Sequence, residues 1–329
     1  MLSDTRLTFL VSAIGTVNGS TVVDELRKAR KVKLQQIKII GANSTPKEFV
    51  VTSKFVDEYY EFPSAVDDKD YYLEYVLKFC VEHKVTHLIC FIDEEVEYFT
   101  RNRRLFEENH ICLCLPDYNT VSTCHYKDVF SKWVKETIPE IWIREYPNFN
   151  TIRDSDFPLF AKPIEGRASI GCRTIENREQ LKVFLEETDS GKNFIVQEKI
   201  DGDVVGVDIV RNKITNQSII IQKRELMRNS NGCGTVVEII DDSKLQKICL
   251  SLAEKLDLNG VVNAEFFLTQ AGPKIIEINP RLPAGTSYSC MAGGNTVINS
   301  ILIAEGKPCK IDAIKVGKKY ARRYETYEM

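Results

Sequence analysis

The chain has no apolar run near the roughly 20 residues that a membrane-crossing helix needs, which argues against a membrane span. It also has little net charge. Its 44 Lys and Arg against 47 Asp and Glu leave −3, so no global field favours nucleic acid or an anionic membrane surface. Histidine is scarce: there are four, none in a polar, glycine-rich context, which argues against histidine-based acid–base chemistry. Gly-x-x-x-x-Gly-Lys-Ser/Thr is absent, so this is not a P-loop protein. The kinase loop signatures and the Gly-x-Ser-x-Gly elbow are missing too. There is no internal repeat, low-complexity tract or long linker. The first residues, Met1 to Arg6, lack a charged n-region and a small-residue cleavage site, so no signal peptide is expected.

What is present is an ordinary globular composition in 329 residues, enough for two or three lobes around more than one core. Ten cysteines lie inside apolar runs (Cys80, Cys90, Cys112, Cys114, Cys249) as often as in loops. Without a leader they read as reduced thiols in a cytoplasmic protein. Cys80, His83, His87 and Cys90 are all zinc-ligand types, but a helix end running into a strand would split them between faces; core thiols and surface histidines are the simpler reading.

The first third alternates strand and helix signals. Strands are expected over 7–14, 36–41, 85–92 and 111–115, with helices over 21–31, 69–82 and 94–108. This alternation predicts a parallel sheet covered by helices. The turn Gly15 to Ser20 opens a helix after the first strand. It is either an anion site on free N–H groups or a plain strand-to-helix turn; it is not Gly-x-Gly-x-x-Gly. From about Val121 the pattern becomes a helix over 121–135 and strands over 157–164 and 193–199. An antiparallel-looking series over 204–210, 214–224 and 235–240 follows. Further helices are expected over 177–187, 242–256 and 296–305.

Two segments carry chemistry. Val262 to Leu268 and Ile276 to Asn279 flank the turn Thr269 to Pro273. A hairpin centred on Ala271 sets Glu265 opposite Glu277 and Asn263 opposite Asn279, on one face. Val262, Ala264, Phe266, Leu268, Ile276 and Ile278 take the other. Opposed carboxylates repel unless a cation lies between them, and hard oxygen ligands with room for phosphate describe a Mg²⁺–nucleotide site. The alternative is a solvated strand face. The second segment is Lys162-Pro163, which closes a strand before the loop Glu165 to Gly171. A point charge beside free N–H groups suits phosphate, although a surface lysine beside a solvent loop has the same sequence.

The order Lys-Pro-x-x-Gly-Arg-x-Ser-x-Gly, Gln197-Glu198-Lys199-Ile200, then Glu277-Ile278-Asn279-Pro280-Arg281 resembles the ATP-grasp superfamily. The likeness is to the branch of carbamoyl-phosphate synthase large subunit and biotin carboxylase, over nearly the whole chain. It implies an α/β and α+β fold: a Rossmann-like pre-ATP-grasp domain (1–117) with a parallel sheet, then a two-lobed ATP-grasp fold with antiparallel sheets. The lobes are 118–195 and 196–329.

The resemblance also implies roles. Lys127, after Tyr126 where relatives have Asp, and Lys162 match phosphate-binding lysines. Arg167, Ala168 and Ser169 match the loop over the phosphates, with Ala168 replacing a common glycine. Gln197, Glu198 and Ile200 match the adenine hinge. Val204 stands where many relatives have a ribose-binding acid, and Asp203 is the neighbouring substitute. Glu265, Glu277 and Asn279 match Mg²⁺ ligands, for one or two ions with Mn²⁺ able to replace them. Arg281 matches an arginine on the transferred phosphoryl group or substrate carboxylate. Gly285, Thr286 and Ser287 match an acceptor-holding segment, and Arg224 and Arg228 a stretch facing substrate.

The implied reaction activates a small carboxylate as an acyl phosphate and joins it to an amine or ammonia, with Arg281, Lys162 and Glu277 as the catalytic set. A phosphotransferase with a stable phosphorylated product, or a nucleotide-binding protein without catalysis, are the alternatives. Partners are the two small molecules; neither nucleic acid nor membrane is expected, and relatives are often homodimers.

Overall fold

The computed structural model describes residues 7–33, 36–164, 170–230 and 232–329. Its described strands form three sheets. In the first, β1 (Leu7–Val11), β2 (Ile37–Asn43), β3 (Glu58–Glu61), β4 (His87–Ile89) and β5 (Cys112–Leu113) run parallel in the order β3-β2-β1-β4-β5. Parallel neighbours require long crossovers. These are supplied by α1 (Val17–Lys33), α2 (Lys69–Glu82), α3 (Asp93–Arg101) and α4 (Arg103–Glu108). Both faces are covered, so the strands are apolar on both sides: Phe9, Val11, Ile39 and Ile89 pack one way, Leu10, Ile40 and Leu88 the other.

Next come α5 (Tyr118–His125), α6 (Lys127–Thr137) and a three-stranded antiparallel sheet. Its strands β6 (Leu159–Pro163), β7 (Arg173–Ile175) and β8 (Phe194–Glu198) are ordered β7-β6-β8. Helix α7 (Arg178–Glu187) starts at Asn177, whose side chain accepts the Gln180 N–H at 3.0 Å. It buries Leu181 and Phe184 on Leu159, Ala161 and Val196, a small core of its own.

The third sheet has six antiparallel strands. They are β9 (Asp203–Asn212), β10 (Gln217–Arg228), β11 (Gly234–Ile240), β12 (Gly260–Thr269), β13 (Gly272–Asn279) and β14 (Lys319–Ala321), ordered β13-β12-β9-β10-β11-β14. Alternation divides its faces. Val205, Val207, Ile209, Val262, Ala264, Phe266 and Ile278 pack against α6 and α8 (Ser243–Lys255). On the opposite face Val210, Ile219, Ile221 and Val261 pack toward the first sheet and α10 (Thr296–Ala304). The rest of that face is polar. Short α9 (Thr286–Ala292) precedes α10.

The fold is α/β and α+β, with the parallel sheet that the alternation predicts and the antiparallel sheets that the resemblance implies. Several boundaries differ. The helix expected over 121–135 is two helices, because Tyr126 is extended (φ −94°, ψ 126°). That over 94–108 divides at Asn102. Strands β3, β7 and β14 are edges of three or four residues, too short for a periodic signal. The zinc-type set is dispersed: Cys80 and Cys90 lie in the first core, His83 stacks on Phe79 and His87 on Phe9. Among the described residues no helix is long and apolar enough to cross a membrane.

The hairpin register is more specific than expected. Asn263 pairs with Asn279 and Glu265 with Glu277, but Phe266 pairs with Ile275 and Thr269 with Gly272. The turn is therefore the two residues Gln270 and Ala271, and a bulge at Ile276 restores the register beyond it. Ile275 takes the core position expected for Ile276. Phe266 is fully buried and Phe267 lies on the polar face. Phe266→Ala should therefore destabilise the protein by about 3–5 kcal/mol in urea unfolding, and Phe267→Ala by clearly less.

Candidate functional site

A cleft of about 710 Å³ lies over the polar part of the third sheet, walled by the second sheet and by turns of the first. That is ample for a nucleotide-sized ligand. Two rows of residues cross four strands on its floor. Lys223 pairs with Gly206, Gly206 with Glu265 and Glu265 with Glu277; in the next row Asp208 pairs with Asn263 and Asn263 with Asn279. The hydrophobic face behind the sheet fixes this parity.

The paired acids are in electrostatic contact. Burial, then the charge of Glu277 and then Glu225, push the Glu265 carboxyl well above the ordinary carboxylate range. Asn279 Nδ2 donates to Glu277 Oε1 at 3.2 Å, orienting it. Arg281 follows the strand and is held by an acid from the first sheet: its Nε donates to Asp93 Oδ1 at 2.5 Å and an Nη2 to Asp93 Oδ2 at 3.1 Å. A forked pair of this kind fixes the guanidinium plane. Asp93 starts α3, where the helix dipole favours its charge. Two residues on, Glu95 turns inward instead and accepts from Ser12 Oγ at 2.7 Å and Tyr72 OH at 2.5 Å.

The second sheet brings the lysine expected from its sequence. Lys162 on β6 is 6 % exposed, and its Nζ donates to the Ile276 carbonyl at 3.1 Å. That carbonyl belongs to the bulge, so the extra residue joins the lysine to the acidic strand. Burial lowers the Lys162 ammonium below its ordinary value, Glu277 draws it back and Lys127 opposes. Lys127 begins α6 on the same wall, with Nζ 3.4 Å from the Ile164 carbonyl. At one end the last residues of β8 and the segment after it contribute Gln197, Glu198 and Ile200. Gln197 Nε2 donates to Glu145 Oε1 at 3.1 Å, while the Glu198 N–H donates to the Arg144 carbonyl at 2.9 Å.

Gly285 and Arg228 also line the cleft. Four other expected residues do not. Arg224 faces the opposite side of β10, 3.5 Å from Asp203 and 3.8 Å from Glu238, because bulges after Glu225 shift the parity that would have aligned it with Arg228. Asp203 is exposed and pairs there. Thr286 is fully buried with its hydroxyl donated to the Pro283 carbonyl at 2.6 Å, and Ser287 lies off the cleft wall. Arg167, Ala168 and Ser169 lie outside the described residues. Sequence reading missed Asp93, Glu94, Lys223, Glu225 and Tyr288. Lys223 was accessible through alternation from buried Ile219 and Ile221; Asp93 carried no local signal, because only the packing of the sheets brings it to Arg281.

Residues 127–285 match the family model described as ATP-grasp domain, so the chain carries an ATP-grasp domain. In sequence it is similar to 3-methyl-D-ornithine–L-lysine ligase of Methanosarcina mazei, 28 % identical over 134 residues, 41 % of this chain and 34 % of that protein. It is also similar to D-alanine–D-alanine ligase of Geobacillus kaustophilus, 25 % identical over 150 residues, covering 42 % and 41 %. The chain thus spans about a third to two fifths of these curated relatives. Its fold is that of the biotin carboxylase domain of Hydrogenobacter thermophilus 2-oxoglutarate carboxylase, a structure in complex with MgADP, ADP and bicarbonate. The TM-score is 0.72 at 16 % identity, over 95 % of this chain and 73 % of that one.

The raised Glu265 carboxyl has a consequence for stability. A group whose pKa is higher folded than unfolded stabilises the protein below its unfolded value, about 4.5, and that contribution is lost as pH rises through the folded value. In the presence of a chelator, Glu265→Gln should therefore gain stability over the unchanged protein as pH is raised from about 5 to about 8. Urea midpoints across that range, differing by a constant amount, would contradict it.

Proposed function

We propose that this protein is an ATP-dependent carboxylate–amine ligase. The observation that carries the reading is the pair of half-buried, opposed carboxylates in a cleft that also holds Lys162, Lys127 and Arg281. Left alone, two such acids oppose each other and folding. Beside a divalent cation they are satisfied, and the cations nearby suit a triphosphate. Glu265, Glu277 and the Asn279 amide are hard oxygen donors, few enough to leave positions for water and phosphate, which fits Mg²⁺, with one or two ions and Mn²⁺ as a substitute. Bound Mg²⁺ supplies charge neutralisation on the phosphate oxygens.

The remaining work falls to the chain. Lys127 and Lys162 hold phosphate oxygens, joined by Arg167, Ala168 and Ser169 of the loop. Gln197, Glu198 and Ile200 line the adenine end. Arg281, released from or shared with Asp93, meets the transferred phosphoryl group. One oxygen of the substrate carboxylate forms a bond to the γ-phosphorus as the bond to the bridging oxygen breaks, and ADP leaves. The amine nitrogen then attacks the acyl carbon, phosphate departs and the amine loses a proton. The charge arrangement carries most of the acceleration, because phosphoryl transfer requires little covalent participation from protein. The relatives named ligases support this reaction class. The proposed division is 1–117, 118–195 and 196–329; the first and third sheets lie in the first and third parts, while β8 of the second sheet crosses the boundary after 195. The ten unpaired thiols suit a reducing, cytoplasmic setting. A homodimer remains part of the proposal, by analogy with the dimeric carboxylase domain.

Two measurements test the reading. A screen of amino acids and other small carboxylates, alone and with amines, should find ADP release that requires a carboxylate, and mass spectrometry should find the amide. A stable phosphorylated product instead would make the protein a phosphotransferase. In the responding assay Glu277→Gln should slow turnover by at least ~10²-fold. Near-normal turnover would remove Glu277 from the site.

A further inference from the structure

The wall of the cleft that comes from the first sheet carries a cation that the ligase reading does not use. Lys69, the first residue of α2, is exposed and lines the cleft together with Asp93 and Glu94, which open α3. Among the described residues its ammonium has no hydrogen bond or ion pair. Its acidic neighbours in sequence are engaged elsewhere. Asp68 caps α2, accepting the Tyr71 N–H at 2.9 Å, and Asp70 accepts from Tyr98 OH. Neither of them, nor Asp67, lines the cleft. Other cations there are already held: Lys162 by the Ile276 carbonyl, Lys223 by Asp208 at 2.6 Å, Arg228 by Glu225 at 2.7 Å and Arg281 by Asp93. Lys199, which likewise has no side-chain partner among the described residues, stands at the adenine end beside Ile200.

The root of the Lys69 side chain is fixed, because the first turn of α2 is tied to α3 three times. Asp70 is bonded to Tyr98, Tyr72 OH donates to buried Glu95 at 2.5 Å, and the Tyr72 ring stacks on Phe99 with centroids 5.9 Å apart. Glu95 also accepts from Ser12 Oγ, just after β1, at 2.7 Å. The same helix α3 presents Asp93 to Arg281. Lys69 therefore belongs to the side of the cleft that holds Arg281. It is a solvated charge there with no counter-charge, at no desolvation cost until an anion meets it.

We propose that Lys69 binds a second anionic group on a substrate, separate from the carboxylate that is activated. This rests on the ligase reading, which puts the reacting end beside Arg281. It names the substrate class: the two substrates together carry at least one carboxylate that takes no part in the reaction. Two sources share that chemistry. One is a dicarboxylic acid activated at one end; the other is an amine that is itself an amino acid. Lys69 touches no reacting atom, and its effect is selection of charged over neutral substrates through a charge-assisted hydrogen bond.

The test uses the full chain with Mg²⁺ and ATP, read by ADP release, in two arms. The first supplies ammonium chloride with a pool of succinate, glutarate, aspartate and glutamate, against their half-amides. The second supplies short monocarboxylic acids with the proteinogenic amino acids as amines, against the same amino acids as carboxamides. Expected in at least one arm is a kcat/KM about tenfold higher for the charged pool, the worth of one charge-assisted hydrogen bond at an exposed site. The arm that shows it names the source. Lys69→Met should remove that preference by raising the apparent KM about tenfold with kcat within about twofold, and Lys69→Arg should keep it. AMP-PNP affinity should stay within about twofold in both variants. Equal rates with charged and neutral pools in both arms overturn the proposal. So does a preference that survives Lys69→Met, and so does AMP-PNP affinity that falls in step with turnover. ADP release from no pool overturns the ligase reading and this assignment together, whereas release without dependence on Lys69 overturns this assignment alone.

Discussion

Everything in the cleft depends on a hydrophobic surface that no ligand touches. Val207, Ala264, Phe266 and Ile278 are buried behind the third sheet. Each contributes on the order of 1–3 kcal/mol by leaving water, and together they dictate which residues of β9, β12 and β13 face forward. The alternation leaves Glu265 and Glu277 no other face. Their mutual repulsion adds to burial in raising the Glu265 carboxyl, but the core outweighs it and the pair persists in the folded protein. A site built this way holds two like charges together without any attraction between them.

The cations that answer those charges come from two separate sheets, and an acid from the third holds one of them. Lys162 arrives on β6, Arg281 directly after β13 and Lys223 on β10, while Asp93 reaches across from the first sheet to hold Arg281. The second sheet keeps its own small core, and its link to the acidic strand at this point is polar, Lys162 to the Ile276 carbonyl. A bulge provides that carbonyl. One extra residue in β13 thus does two things: it places Ile275 in the core, and it turns a main-chain acceptor toward a buried ammonium that has few other means of satisfying its donors.

Local rules read much of this correctly. Strand–helix alternation gave the parallel sheet, Asn177 and Asp242 began helices where capping residues should, and the period of two set Glu265 against Glu277 and Asn263 against Asn279. The failures share one cause. Arg224 and Arg228 are four apart and belong on one face of a regular strand, but the bulges in β10 invert the parity between them. The hydroxyls of Thr286 and Ser287 look available in an unstructured segment; α9 buries the first of them. In each case a shift of one residue in register, or one turn of helix, redirected a side chain, and the energy that chose the shift lay in packing against distant elements.

The sequence by itself determined the kinds of element, the parity of the acidic hairpin and the identities of the charged groups, because those follow from neighbours within a few residues along the chain. Tertiary structure decided which charges meet. Asp93 and Arg281 are 188 residues apart, Lys162 and Ile276 are 114 apart, and no local preference speaks across such spans. Only the burial of the apolar clusters on these sheets, one of them shared by the first and third, brings those groups within hydrogen-bonding reach.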